Sequence, residues 1–67
     1  MVKAEIIAVG SELLLGGLPD SNSVFLSQLL AIQGIEVRFK TVVGDVAEDI
    51  CDALKKSVQR AKVIIIT

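Results

Sequence analysis

The residues best suited to chemistry fall in one long stretch, Gly10-Ser11-Glu12-Leu13-Leu14-Leu15-Gly16-Gly17-Leu18-Pro19-Asp20-Ser21-Asn22. Ser11, Glu12, Asp20, Ser21 and Asn22 supply its polar groups. Gly10, Gly16 and Gly17 allow close backbone approach or a positive φ. Asp20 and Ser21 are good N-cap types, so a helix is expected to begin there and to point free N–H groups back at the loop, a seat for phosphate. The stretch is long for a strand-to-helix connection, which usually takes about 2–6 residues. That length points to a ligand loop, with a structural or interface loop as the alternative. The pattern is neither a Walker A loop nor a Rossmann fingerprint. No Lys-Ser/Thr pair follows the glycines, and Gly10-Ser11-Glu12 does not continue as G-x-x-G.

The elements that must position this loop are legible from periodicity. Val2 to Val9 reads as a strand whose Ile6-Ile7-Ala8-Val9 run suits burial on both faces, and Gly10 ends it. After the loop, Phe25, Leu29 and Ile32 recur at helical spacing, with Leu26 and Leu30 widening the stripe. Gly34 closes that helix. Ile35 to Val43 alternates: Ile35, Val37, Phe39, Thr41 and Val43 on one face, and Glu36, Arg38 and Lys40 on the other. Such a half-polar strand suits a sheet edge. Gly44 turns the chain. Asp45 with Glu48 forms a start resembling a capping box. Val46, Ile50, Ala53, Leu54, Ser57, Val58 and Ala61 form the expected buried face of the second helix. Acids load the beginning of that helix and bases its end, complementing the dipole. Val63 to Ile66 is the third strand.

This β-α-β-α-β order predicts an α/β fold with a parallel sheet and right-handed crossovers. The polar second strand belongs at an edge, and the apolar first strand needs neighbours on both sides. The predicted strand order is therefore 2-1-3. The ligand crevice of such a sheet opens beyond the carboxyl ends of strands one and three, above Val9-Gly10 and Thr67. An uncovered Val-Ile-Ile-Ile edge invites aggregation. The pattern thus predicts a fourth strand beyond Thr67, and residues 1–67 read as the N-terminal part of one larger domain.

Composition narrows the function classes. The chain has 67 residues, 52% of them hydrophobic, with a formal net charge of −1, one cysteine and no histidine. So apolar a composition in so short a chain suits part of a larger core. No basic stripe or aromatic platform points to nucleic acid. No apolar run approaches the roughly 20 residues of a membrane helix, and no signal-peptide pattern is visible. One unpaired cysteine favours the cytoplasm. Cys51 and both phenylalanines, Phe25 and Phe39, read as packing residues, and Lys55, Lys56 and Arg60 as a solvated helix end.

Three elements occur in order across essentially the whole chain: Gly10-Ser11-Glu12-Leu13-Leu14-Leu15-Gly16, Asp20-Ser21-Asn22 and Thr41-Val42-Val43-Gly44-Asp45. Together with the strand Ala4 to Val9 they resemble the start of the competence/damage-inducible protein CinA family. The N-terminal domain of that family is similar to the molybdopterin-binding domains of molybdenum-cofactor biosynthesis proteins. The resemblance implies a three-layer α/β/α domain that begins with strand order 2-1-3. It implies a nucleotide-type ligand and hydrolysis of ADP-ribose at its pyrophosphate with a divalent metal, Mg²⁺ or similar. It also implies a further glycine-rich loop just past Thr67 and, in many bacterial members, a separate domain that deamidates nicotinamide mononucleotide. On this reading residues 1–67 are expected to be inactive alone.

The matching positions are the candidate site. Glu12 is the candidate catalytic and metal-holding carboxylate, since Mg²⁺ takes a few carboxylates plus phosphate oxygens. The alternative is a loop carboxylate bonding backbone amides. Gly10, Ser11, Asp20, Asn22 and Asp45 are candidate ligand-binding residues. Asp20 and Asp45 have helix capping as the competing role, Asn22 a local turn contact, and Ser11 the end of the strand. Two other functions compete with the hydrolase. One is a module that binds a pterin phosphate without cleaving ADP-ribose. The other is a non-catalytic scaffold for homo-oligomers, which related domains commonly form.

Overall fold

The computed structural model describes residues 1–16 and 19–67. The glycine singled out at position 17 lies outside them. The element order is β1 (Val2–Val9), α1 (Ser11–Leu14), α2 (Ser21–Ile32), β2 (Ile35–Val43), α3 (Ala47–Ser57) and β3 (Val63–Ile66). The three strands form one parallel sheet in the order β2-β1-β3. The core is the central strand: Ala4, Ile6, Ile7 and Ala8 are fully buried. β3 pairs with β1 from Ala4↔Val63 to Ile7↔Ile66.

Successive residues of a strand point to opposite faces, and β2 uses this to hold a helix on each side. Lys40 reaches the start of α2. Phe39 meets Arg60 just past α3, and Thr41 shares a hollow with Ala53 and Lys56 of α3. α2 and α3 therefore flank the sheet on opposite faces, giving three layers. The β1–β2 register shifts between Ala4 and Glu5, so that Val37 opposes Ala4 while Phe39 opposes Glu5. This irregularity leaves Arg38 without an opposite number and sets Phe39 beside Glu5.

Several local expectations are corrected. The loop after β1 contains a single helical turn, α1, stacked on Gly44 at the end of β2. The sheet-facing side of α2 is Ser23, Leu26, Ser27 and Leu30, while Phe25, Leu29 and Ile32 are exposed. Asp20, which caps α2 at Ser23, is tied to Lys40 of β2, and this tether sets which side of the helix meets the sheet. The Ser27 hydroxyl also folds onto the Ser23 carbonyl at 2.7 Å. Asp45 does not cap α3. The N-cap is Val46, with no side-chain cap bond, and its N–H turns back to the Gly44 carbonyl at 2.9 Å. Val46 and Val58 are exposed at the two ends of α3, whereas Ala53 and Ser57 are buried. The charge pattern of α3 is as expected, with Glu48 and Asp49 in its first turn and Lys55 and Lys56 in its last.

Candidate functional site

The carboxyl ends of the strands are stitched together at one level. The Val9 N–H donates to the Thr67 carbonyl, and the Thr67 N–H to that of Ile7, both at 3.0 Å. The Gly10 N–H donates to the Val43 carbonyl at 2.9 Å. Above this floor lies a hollow of about 230 Å³, lined by Val9, Glu12, Leu13, Pro19, Asp20, Ser21, Asn22 and Thr67. It occupies the place where an open α/β sheet reverses its winding and takes ligands. Residues from both sides of the long loop meet here.

Glu12 lies on α1 and is exposed. Its side chain folds back over Gly10. A Cβ on Gly10 would stand 2.7 Å from Glu12 Oε1 and 3.1 Å from its Cδ. Gly10 thus serves close approach rather than an unusual backbone, since its φ of 163° is extended. Gly16 does need its conformational freedom: its φ of 79° lies in the left-handed region. Among the described residues nothing hydrogen-bonds the Glu12 carboxylate, neither a backbone amide nor a side chain.

Asp20 is in the opposite condition. It caps α2, accepting from the Ser23 N–H at 3.1 Å and from the Ser23 hydroxyl. Lys40 of β2 closes an ion pair on its second oxygen at 2.9 Å. The Ser23 hydroxyl first, and then Lys40, hold its carboxyl down at a pKa of about 2. Asn22, in the first turn of α2, is exposed and lines the hollow. Ser11 is exposed on α1 and turned toward Gly44, 3.9 Å from where a Cβ there would sit. Asp45 is exposed just past β2. The structure therefore gathers Glu12, Asp20 and Asn22 at the hollow, and places Ser11 and Asp45 outside its lining.

A second polar constellation escaped sequence reasoning. Glu5 is fully buried in the central strand. Arg60 donates to both of its oxygens, each at 2.8 Å, and the Thr41 hydroxyl donates at 2.6 Å. The Arg60 guanidinium also lies 4.2 Å from the centre of the Phe39 ring. Arg60, foremost, lowers the Glu5 pKa to about 2 despite burial, with Thr41 assisting. Arg60 is thus the counter-ion of Glu5 while its side chain remains 40% exposed. The available signal was Glu5 itself, an acid inside a run covered on both faces, where a charge requires a partner. A larger hollow, about 690 Å³, lies at the opposite end of the sheet beside Lys3, Phe39, Arg60 and Lys62. Size favours it, but the topology of parallel sheets favours the smaller one.

Among the described residues no three His, Cys, Asp or Glu side chains come together as a ready metal cage. Mg²⁺ does not need one: it commonly takes one or two carboxylates with phosphate oxygens and water. The Glu12 carboxylate at the edge of the hollow, without a partner among the described residues, fits that mode. No helix among the described residues is long and apolar enough to cross a membrane.

A family model described as "Probable molybdopterin binding domain" matches residues 5–67. Among similar sequences, a competence-damage inducible protein of Geobacillus kaustophilus is 56% identical over 66 residues, which cover 98% of the chain and 16% of the relative. One from Halalkalibacterium halodurans is 48% identical with the same coverage. The chain thus spans about one sixth of the length of these relatives, 16% in each case. Among solved structures, the protein CinA of Thermoplasma acidophilum, described as of unknown function, superposes with a TM-score of 0.91 at 28% identity. That match covers 96% of the chain and 38% of the other.

Proposed function

From the premise that the chain belongs to the molybdopterin-binding domain family, with competence-damage inducible proteins among its relatives, we propose that it forms one wall of a nucleotide pocket in a metal-dependent hydrolase that cleaves ADP-ribose at its pyrophosphate. The observation that carries this reading is the hollow beyond β1 and β3, where Glu12 has no hydrogen-bond partner among the described residues while Asp20 across from it is held by Lys40. The pyrophosphate of the ligand would lie across the start of α2, near Ser21 and Asn22. Glu12 would hold a divalent ion, directly or through water. The ion would neutralise charge developing at the pyrophosphate. Gly10 leaves room for the Glu12 side chain to move between the loop and the ligand.

The second reading, a module that binds a pterin phosphate without cleaving ADP-ribose, is favoured by the family description itself. One assay separates the two. The full-length protein with Mg²⁺ and ADP-ribose is expected to release AMP and ribose 5-phosphate. A folded protein that yields neither product, yet retains a pterin phosphate, supports the second reading. The proposal also takes the protein to be a cytoplasmic homo-oligomer without nucleic-acid or membrane partners. The exposed Val24, Phe25 and Ile32 of α2 support self-association, which light scattering of the full-length protein checks.

A further inference from the structure

An anionic ligand meets an electrostatic difficulty in this hollow. The ionisable side chains in its described lining are both acids, Glu12 and Asp20. Two uncompensated carboxylates would repel a phosphate and hinder its binding. Only one of them is uncompensated. Lys40 extends from β2, with its side chain 41% exposed, and ends 2.9 Å from an Asp20 oxygen that is itself largely shielded, the Asp20 side chain being 11% exposed. Lys40 stands on the face of β2 that sequence periodicity assigns to solvent, yet it is fixed on the loop wall.

We propose that Lys40 is a positioning residue of the pocket: by neutralising Asp20 and tying the start of α2 to the sheet, it makes the hollow permissive for a diphosphate and leaves Glu12 as its only free carboxylate. The two acids then have separate work. Asp20 holds the wall, with the Ser23 amide, the Ser23 hydroxyl and the Lys40 ammonium occupying its oxygens. Glu12 faces the ligand. Lys40 acts through Asp20, and its ammonium is already engaged before any ligand arrives. This inference rests on the crevice being the ligand site.

The test is a charge cycle read by binding of inorganic pyrophosphate with Mg²⁺ to the full-length protein, using calorimetry. Lys40→Met is expected to weaken binding about fivefold, the scale of one half-solvated charge a few ångströms away, and less at high salt. Lys40→Arg should retain wild-type affinity. Adding Asp20→Asn to Lys40→Met should restore affinity, because asparagine still caps a helix but carries no charge to offset. A lysine that gripped the phosphate directly would not be rescued by Asp20→Asn, and that result overturns the proposal. So does unchanged binding in Lys40→Met. A wild-type protein that binds no pyrophosphate overturns instead the pocket assignment beneath it. Amide exchange at Ser23 and Val24, faster in Lys40→Met than in the wild type, tests the tether without any ligand; unchanged exchange contradicts it.

Discussion

The middle of the sheet and its carboxyl-terminal end carry carboxylates in opposite circumstances. In mid-strand, Glu5 is buried and receives three hydrogen bonds from Arg60 and Thr41. At the carboxyl-terminal end, Glu12 is exposed over Gly10 and has no hydrogen-bond partner among the described residues. A buried carboxylate with both oxygens engaged is committed to the fold: it fixes how the chain returns from α3 to β3. A carboxylate that the fold leaves unpaired, at the place where parallel sheets bind, remains available for a metal or a phosphate-bearing partner. Asp20 stands between the two. It lies at the crevice, but its oxygens are already engaged.

The contrast can be broken from either end. The largest effect is expected at Glu12. Glu12→Gln should lower ADP-ribose hydrolysis by about 100-fold or more, as expected for loss of a catalytic carboxylate, while unfolding free energy stays within about 0.5 kcal/mol of wild type. Parallel kinetics and denaturant titrations check both halves. Glu5→Ala should do the reverse. It should cost about 2–3 kcal/mol of stability, toward the low side for broken buried ion pairs because Arg60 can swing into water. Hydrolysis measured well below the unfolding transition should change little.

Asp20→Ala should fall between these, losing about 1 kcal/mol for the missing helix cap. It should also loosen the first turn of α2, which amide exchange at Ser23 would detect. Acid is the mildest perturbation. Glu5 and Asp20 have pKa values lowered to about 2 from ordinary values of 4.5 and 3.8. An unfolded chain binds more protons than the folded one between those values, so their stabilisation is complete above about pH 4.5 and is lost as pH falls toward 2. Denaturant midpoints measured from pH 5 to pH 3 should decline, and Glu5→Gln should flatten the decline.

Much of this was legible in the sequence because hydrophobic periodicity is a local signal. The alternation from Ile35 to Val43 defined β2 and its edge position, and the continuous run Ile6 to Val9 defined the centre of the sheet. Strand order and the place of the crevice followed from these. What could not be read depended on contacts distant in sequence or on a single turn. α1 has four residues, too few to show a helical period. In α2, apolar residues surround so much of the helix that periodicity could not choose its inward face. The choice was made by Ser23 meeting Asp20, and by Asp20 meeting Lys40. The Glu5–Arg60 pair joins residues 55 positions apart, so only the oddity of an acid in an apolar strand announced it. That Glu12 and Asn22 line one hollow is a matter of three-dimensional placement, which spacing alone does not specify.

The most direct measurement is the location of ADP-ribose in a crystal of the full-length protein soaked with a non-reactive metal such as Ca²⁺. The predicted result is a diphosphate beyond the ends of β1 and β3, within reach of Glu12 and Asn22. A ligand seated instead in the larger hollow beside Lys3, Arg60 and Lys62, with the crevice vacant, would contradict it.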